Sequence, residues 1–274
     1  MKPKLIDAHT HVQFSVYDED RDEAIKRSLD KGIWMINSGS NSVNSVSAVR
    51  LAEKYESGVY ATVGLHPSHA GVPDEDITED GGYEKFDYEA MKKLSLHSKV
   101  LGIGECGFDF FKGDKTNEDS QRESFIAQIQ LAGEIKKPLV IHCREGYKET
   151  YEVLAKHKDN LLEDAGVMHF YSGTKEDAER FLDLGFYFTF GGAITLPKKP
   201  DGADFTELLR YLPKERIMFE TDAPYVSPLK YRGKRNEPAY VEEVALAAAE
   251  MLGMSLEEIA EIATLNTMRV FKLV

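Results

Sequence analysis

The sequence predicts an α/β fold, a (β/α)8 TIM barrel that spans residues 1–274 as a single domain. Short apolar runs alternate with amphipathic stretches along the whole chain, a pattern typical of parallel βαβ units. Eight such units in about 250 residues match the size of a barrel of this kind. An open doubly wound sheet is the alternative architecture, but the sequence contains no phosphate-binding loop motif.

The predicted strands are apolar runs, most of which end in a polar residue. They comprise residues 4–7, 33–37, 59–65, 100–105, 139–142, 166–169, 186–190 and 216–220. Helical patterns separate these strands, and two more follow the last one. The predicted helices comprise residues 20–31, 44–56, 86–97, 120–136, 147–158, 174–184, 204–211, 238–252 and 255–271.

The composition indicates an ordinary soluble protein. Of 274 residues, 42% are hydrophobic and 30% are charged. No apolar run approaches the roughly 18 residues of a membrane span, and no signal peptide is recognisable, so no membrane partner is expected. Because Cys106 and Cys143 are the only cysteines, a disulfide framework is excluded and a cytoplasmic location is expected. No feature of the sequence implies an obligate protein partner.

The charge distribution restricts how an anionic substrate could bind. The formal net charge is −13, and residues 72–89 carry eight acidic side chains against one lysine. We interpret that segment as a solvated loop that leads into a helix. Basic residues concentrate instead in PLKYRGKRNEP, residues 228–238. Proteins that bind nucleic acid usually present a basic face, so if the substrate is anionic, its attraction here must be local.

The stretch KLIDAHTHVQF, residues 4–14, places two histidines one residue apart at the end of a strand. Residues i and i+2 of a strand point to the same side, so His9 and His11 can face one point. Imidazole is the commonest metal ligand of proteins, and the pair could share an ion. Taken alone, the pair could equally be loop histidines bonded to backbone and water.

Further polar side chains end other predicted strands. In barrels of this class the C-terminal ends of the strands carry the catalytic groups. Singly, Glu105 could begin a helix, Asp222 could cap a turn, and His142 could be a core histidine. His66 could simply be held extended by the following proline. Their convergence on one rim nevertheless favours a metal site, and the residues that meet there are His9, His11, His66, Glu105, His142, Arg144, His169 and Asp222.

The remaining histidines and both cysteines are expected to have no role in the chemistry. His69, His97 and His157 lie in predicted loops or helices, and we interpret them as surface residues. Cys106 and Cys143 each follow a candidate ligand directly. Because side chains alternate along a strand, their sulfurs should point away from the ion and pack as small hydrophobes.

An ordered set of motifs resembles the TatD family of metal-dependent hydrolases, within the wider amidohydrolase group of barrels. The segments are DAHTHVQF, VGLHP, GIGECGFDF, LVIHCRE, GVMHFYSG, GGAITLP, FETDAPYVSPLKYRGKRNEP and LNTMRVF, and they span nearly the whole chain. Two departures stand out. The acidic insert at residues 72–89 is longer than expected for the family, and Phe-Asp-Phe at 108–110 replaces the more usual Leu-Asp-Tyr.

The resemblance implies two divalent metal ions, Mg²⁺, Mn²⁺ or Zn²⁺. The ligands it implies are His9, His11, Glu105 and Asp222 for one ion, and Glu105, His142 and His169 for the other. A single carboxylate such as Glu105 can bridge two ions. The implied reaction is hydrolysis by a metal-activated hydroxide, with Asp222 as proton acceptor. Glu105 and Asp222 are thus the expected catalytic residues.

The resemblance also points to DNA as substrate, trimmed from the 3′ end of single strands. The side chains expected to hold it are His66, Arg144, Arg232 and Asn236, helped by the basic run at residues 230–235. A small-molecule amidohydrolase or lactonase on the same barrel is the alternative enzyme. A non-catalytic metal-binding barrel is the second alternative, which the loss of a ligand would favour; every ligand is present.

Overall fold

The structure is a computed structural model that describes residues 2–71, 82–198 and 202–273. Of the predicted acidic loop, residues 72–81 lie outside the described residues. In the described part of the chain, no helix is both long enough and apolar enough to cross a membrane.

Eight parallel strands follow one another in chain order around a barrel. They are β1 (Leu5–Thr10), β2 (Ile33–Ser38), β3 (Val59–Val63), β4 (Val100–Asp109), β5 (Leu139–Arg144), β6 (Gly166–Met168), β7 (Phe186–Phe190) and β8 (Ile217–Phe219). The ring closes just beyond β8, where Thr10 pairs with Ala223. There the backbone N–H of His11 donates to the Ala223 carbonyl at 2.7 Å, and that of Asp222 donates to the His9 carbonyl at 2.9 Å. The predicted (β/α)8 barrel is confirmed.

Helices connect the strands and surround the barrel. They are α1 (Arg21–Asp30), α2 (Ser42–Glu53), α3 (Tyr88–Ser95), α4 (Glu118–Ile135), α5 (Tyr147–Lys156), α6 (Lys175–Asp183), α7 (Phe205–Tyr211), α8 (Val241–Leu252) and α9 (Leu256–Val270). Capping boxes fix the starts of α2, α6 and α9, because each N-cap side chain and the side chain three residues later bond each other's backbone N–H. Every predicted element is present, with ends displaced by up to four residues.

Two apolar layers hold the strands in place. The larger layer joins the outward faces of the strands to the helices, as where Ile33 and Phe125 belong to one buried cluster. The smaller layer fills the barrel interior with strand residues such as Val140 and Val167. Phe271 and Leu273, just beyond α9, pack against that interior cluster. The C-terminal segment therefore closes the end of the barrel opposite the carboxyl ends of the strands.

One extra residue in β1 and another in β4 set which side chains face the rim. Asp7 pairs with Met35 and Thr10 with Asn37, so three steps along β1 match two along β2. Ile6 and Ala8 belong to the interior cluster, so strict alternation would turn His9 and His11 outward toward the helices. The bulge reverses that alternation.

A similar bulge occurs in β4. Ile103 pairs with Leu139 and Cys106 with Ile141, again with one residue too many on β4. Ile103 and Cys106 both pack in the outer layer although they are three residues apart. Glu105, which strict alternation would place beside Ile103 on the outside, therefore faces the barrel axis.

Candidate metal centre

A buried carboxylate lies at the middle of the candidate site. One oxygen of Glu105, Oε2, is 3.4 Å from Nε2 of His9. The other, Oε1, is 3.0 Å from Nδ1 of His142 and 3.4 Å from Nε2 of His169. The side chain of Glu105, on β4, is 6% exposed. It thus receives histidines from β1, from β5 and from the end of β6.

Asp222 and His11 complete this cluster on the β8–β1 side. Oδ1 of Asp222 is 3.4 Å from Nε2 of His11 and 3.8 Å from Nε2 of His9. The two Nε2 atoms of His9 and His11 are 3.2 Å apart, so the two rings face the same point. All six predicted ligand side chains are therefore brought together, and the structure places them around Glu105 and Asp222.

Hydrogen bonds behind the rings decide which ring nitrogen can bind a cation. Nδ1 of His11 is 2.8 Å from the carbonyl oxygen of Ser38, which can only accept. Nδ1 must therefore carry the proton, and Nε2 presents its lone pair to the centre. Nδ1 of His9 contacts the hydroxyl of the same Ser38 at 3.1 Å, a group that can donate or accept.

Carboxylates play the same part behind the other two rings. Nδ1 of His169 lies 2.9 Å from Oε1 of the fully buried Glu220. Nε2 of His142 lies 2.9 Å from Oδ2 of Asp109. Since a carboxylate accepts, Nε2 of His142 holds the proton and its Nδ1, nearer Glu105, is left to bind a cation. The contact of His169 with Glu220 is an ion pair, which also favours a proton on the outer nitrogen. A carboxylate behind a histidine ligand is a common arrangement in metal sites and raises the basicity of the ring.

His66 differs from these rings, because the nitrogen that it turns toward Glu105 carries the proton. Its Nδ1 accepts from the backbone N–H of Ser68 at 3.1 Å, so the neutral ring carries its proton on Nε2. That Nε2 is 3.5 Å from Oε1 of Glu105. Burial, together with the neighbouring His142, lowers the pKa of His66 to about 3, so the ring is neutral. His66 thus offers an N–H donor where the other histidines offer lone pairs.

The donor set fits divalent cations. Three groups of side chains have one ligand atom each within 4.8 Å of one another: His9 with His11 and Glu105, His9 with His169 and Asp222, and His66 with Glu105 and His142. The third group is weakened as a ligand set because its His66 presents a proton. Imidazole and carboxylate donors in this mixture suit borderline ions such as Zn²⁺ and Mn²⁺.

The charges of the centre match that interpretation. Burial disfavours ionisation of Glu105, yet the surrounding imidazoles outweigh it and hold its pKa well below the usual range. The pKa of Asp222 is lowered in the same way, against burial, by the imidazoles of His11, His169 and His9 around it. Burial also opposes a charge on His169, but the carboxylates of Glu220 and Glu105 raise its pKa to about 10. A cation that binds this ring must therefore displace a proton.

A buried hydrogen-bond pair positions Asp222. Thr221 donates to the carboxylate of Asp7 through its backbone N–H at 2.8 Å and through its hydroxyl at 2.6 Å. Asp7 is fully buried, and burial raises its pKa while the two bonds from Thr221 oppose that rise. The pair fastens β1 to the residue that precedes Asp222. Asp222 itself has a φ of 54°, a left-handed conformation that Asp tolerates better than most residues.

The comparisons with known proteins agree with one another. A family model described as TatD related DNase matches residues 6–272. This chain belongs to the TatD family. A Bacillus subtilis (strain 168) protein named uncharacterized metal-dependent hydrolase YabD is 36% identical over 272 residues, which cover 98% of this chain and 99% of the relative. The 3'-5' ssDNA/RNA exonuclease TatD of Pantoea vagans is 30% identical, over 98% of this chain and 100% of the relative. The crystal structure of YJJV, a TatD homolog from Escherichia coli K12, superimposes with a TM-score of 0.85 and 27% identity over 100% of both chains.

As a TatD family member, the chain is a metal-dependent hydrolase of ester bonds. Its centre opens into a cleft of about 370 Å³. Arg144, at the end of β5, lines that cleft with its guanidinium 3.8 Å from the centre of the Phe111 ring. His69 also lines it, half-buried and bonded through Nδ1 to the Gly82 carbonyl at 3.1 Å. The surface interpretation of His69 was therefore wrong; the segment after β3 folds back over the rim.

Neither cysteine enters the centre. Cys106 is buried in the outer layer with its sulfur 3.5 Å from the Val140 carbonyl. The sulfur of Cys143 contacts the Thr150 hydroxyl at 3.4 Å, and burial raises the pKa of this thiol to about 12. Both therefore point away from the ion site and behave as small buried groups, as expected.

The expected contact of Asn236 with substrate is wrong. The side chain is fully buried, and its amide donates to the carbonyls of Thr221 at 2.9 Å and Tyr225 at 2.7 Å. Its Oδ1 accepts the backbone N–H of Glu237 at 2.9 Å. Asn236 therefore holds the loop that follows β8 in place, and substrate cannot reach it.

The basic run at residues 230–235 is partly committed to ion pairs within the protein. Lys230 contacts Glu243 at 2.6 Å. Arg235 contacts Asp20 at 2.7 Å and lies 4.0 Å from the centre of the Tyr17 ring. Arg232 is exposed and has no ion pair within the described residues. Of this run, then, Arg232 is available to substrate, and Arg235 is a structural clamp rather than a phosphate contact.

Four residues that position the ligands escaped sequence reasoning. Ser38 and Asp109 hydrogen-bond rings from behind, Glu220 forms an ion pair with His169, and Asp7 fastens the loop. Two of them offered a weak signal, since Glu220 lies two residues before Asp222 and Asp109 lies four after Glu105. A lone carboxylate near a strand end, however, does not reveal which ring it contacts.

The ion pair between Asp20 and Arg235 should make the free energy of unfolding depend on pH. The hydrogen bond from Arg235 is the main reason that the pKa of Asp20 is lowered to about 2, below the roughly 3.9 of an unfolded chain. The stabilisation is therefore complete above about pH 4 and is lost as the pH falls toward 2. We expect urea unfolding to show wild type more stable than Asp20→Asn at pH 6, with the difference shrinking toward pH 3. A difference that stays constant or grows on acidification would contradict the clamp.

Proposed function

We propose that this protein is a 3′–5′ exodeoxyribonuclease that hydrolyses single-stranded DNA with two divalent metal ions. The observation that carries the proposal is that the six proposed ligands meet at one point, with four histidines around Glu105 and Asp222. Hydrogen-bond donors suited to phosphate lie beside them. The relative from Pantoea vagans, named a 3'-5' ssDNA/RNA exonuclease, supports the substrate and the polarity.

The proposed ligands fall into two sets that share Glu105. His9, His11 and Asp222 lie on its Oε2 side, while His142 and His169 lie on its Oε1 side. When bound, the ions would supply a water of lowered pKa and positive charge opposite the phosphoryl oxygens. The oxygen atoms of Ser38, Asp109 and Glu220 behind the rings keep the ligand nitrogens aimed at the centre without any rearrangement.

Asp222 is the proposed proton acceptor. Its carboxylate is ionised, lies on the rim beside the ligand rings, and is 18% exposed where Glu105 is 6% exposed. It is therefore the carboxylate of the pair that an incoming water can reach. Glu105, buried and surrounded by imidazoles, is suited to bridging cations and not to exchanging protons with solvent.

His66 and Arg144 are the proposed phosphate contacts. His66 presents Nε2–H toward the centre, and Arg144 presents a guanidinium that is permanently charged. The guanidinium packs on Phe111, which limits its motion and leaves its N–H groups at the edge of the cleft. Arg232, exposed on the loop after β8, would contact a more distant phosphate.

The proposal is tested with a panel of substrates. We expect a 5′-labelled single-stranded DNA oligomer to be shortened in steps, with a chelator abolishing the reaction and Mn²⁺ or Zn²⁺ restoring it. Single-stranded RNA, duplex DNA and a neutral chromogenic ester are the comparisons. Cleavage of the neutral ester with no reaction on either nucleic acid would overturn the proposal in favour of a small-molecule hydrolase.

The role of Asp222 predicts the effect of one isosteric change. Asp222→Asn keeps the size of the side chain but removes its ability to take a proton, so kcat should fall at least about 10²-fold. Circular dichroism should match wild type. Because one metal ligand is weakened, the assay should be run at saturating metal. Near-wild-type turnover under that condition would remove Asp222 from proton transfer.

The different environments of two arginines predict opposite outcomes. Arg232→Ala should raise KM for a DNA oligomer and flatten its dependence on salt, because one phosphate contact is lost. Arg235→Ala, the matched control in the same loop, should keep the salt dependence and lower the free energy of unfolding by about 1 kcal/mol. If Arg235→Ala flattened the salt dependence and Arg232→Ala did not, the assignment of the two residues would be reversed.

A further inference from the structure

We propose that the ring of Tyr225 is a stacking platform for a nucleobase at the 3′ end of the substrate. This inference rests on the proposed nuclease function and goes beyond it, because it names the part of the substrate that the site reads besides phosphate. Four observations support it, and they concern position, exposure, rigidity and the surroundings of the ring.

Position and exposure come first. Tyr225 lies three residues after Asp222, lines the cleft of the metal centre and is 53% exposed. Its ring centre is 6.4 Å from that of His11, at a steep angle. A large aromatic surface is therefore presented to solvent within one side chain's reach of the proposed scissile phosphate.

The backbone that carries this ring is fixed at both of its polar groups. The N–H of Tyr225 donates to the Asp222 carbonyl at 2.9 Å, which closes a tight turn. Its carbonyl accepts from the buried Asn236 amide at 2.7 Å. An exposed aromatic side chain on a backbone fixed in this way loses little conformational freedom when a ligand stacks on it.

The surroundings complete a site of nucleotide dimensions. Phe14 stacks on His11 at 4.6 Å between ring centres, so the wall of the cleft on the β8–β1 side is aromatic. Arg144 belongs to β5, which lies across the ring of strands from that wall. The aromatic wall matches a base, and the cation on the opposite side matches the next phosphate. The metal centre between them matches the scissile phosphate.

The platform would also explain a preference for single strands. A base can lie flat on Tyr225 only when it has left the stack and pairing of a duplex. Stacking on an aromatic side chain is tolerant of sequence because every base has a π-face. The expected consequence is selectivity for unpaired ends with little selectivity among bases.

The test compares two DNA oligomers that differ only in whether the last two residues carry thymine or are abasic tetrahydrofuran. We expect wild-type kcat/KM to be at least about tenfold higher on the base-bearing oligomer. Tyr225→Ala should lose about tenfold on the base-bearing oligomer and little on the abasic one. Tyr225→Phe should behave like wild type, since it keeps the ring.

Tyr211→Ala is the matched control, because Tyr211 is 43% exposed on α7 and does not line the cleft. It should leave both rates unchanged. Equal losses on both oligomers in Tyr225→Ala, or no loss on either, would overturn the platform. A wild-type enzyme that cleaves neither oligomer would instead overturn the proposed function, so the two failures can be told apart.

Discussion

The contacts of Glu105 with four imidazoles are what the rest of the structure depends on. His9, His66, His142 and His169 each place a ring nitrogen within 3.5 Å of its two oxygens. A carboxylate buried to this degree is costly unless cations or strong donors surround it. Of the strands that bring those rings, β3 and β5 also pair with β4 through backbone hydrogen bonds. β1 and β6 do not pair with β4, and the contacts of their rings with Glu105 link them to it. The same convergence that satisfies the buried anion creates the place for cations.

The backbone makes this convergence possible through two local departures from regularity. The extra residues in β1 and β4 turn His9, His11 and Glu105 toward the axis, where a regular strand would bury them against helices. Behind the rings, Ser38 and Asp109 fix the tautomers of His11 and His142, and Glu220 forms an ion pair with His169, so the ligand nitrogens are prepared before any ion arrives. The loop after β8 is held by Asp7 and Asn236. Function thus rests on positioning residues that never touch substrate.

Much of this could be predicted from the sequence, for physical reasons. Apolar runs of strand length separated by helical patterns give the barrel, and the polar residues that end the strands give the rim, as with His142 and Asp222. The bulges were not predicted, because the glycines at 102, 104 and 107 around Glu105 are compatible with an inserted residue but do not fix its position. Partners distant in sequence were also missed: Arg235 carries the charge of a phosphate contact, yet Asp20, 215 positions away, binds it. Asn236 failed for a different reason, since its amide donates to carbonyls of its own loop, a role that its residue type does not reveal.

The central claim is that one carboxylate, Glu105, is shared by two cation sites, and metal titration tests it most directly. Wild type, freed of metal with a chelator and titrated with Mn²⁺ or Zn²⁺, should bind two ions per chain. Glu105→Gln should weaken both sites together, by at least about tenfold in Kd. Glu84→Gln is the control, because Glu84 is a buried carboxylate bonded to the hydroxyl of Ser42 at 2.6 Å and outside the candidate ligand groups. It should still bind two ions, whereas a Glu105→Gln variant that retained both ions at wild-type affinity would contradict the account.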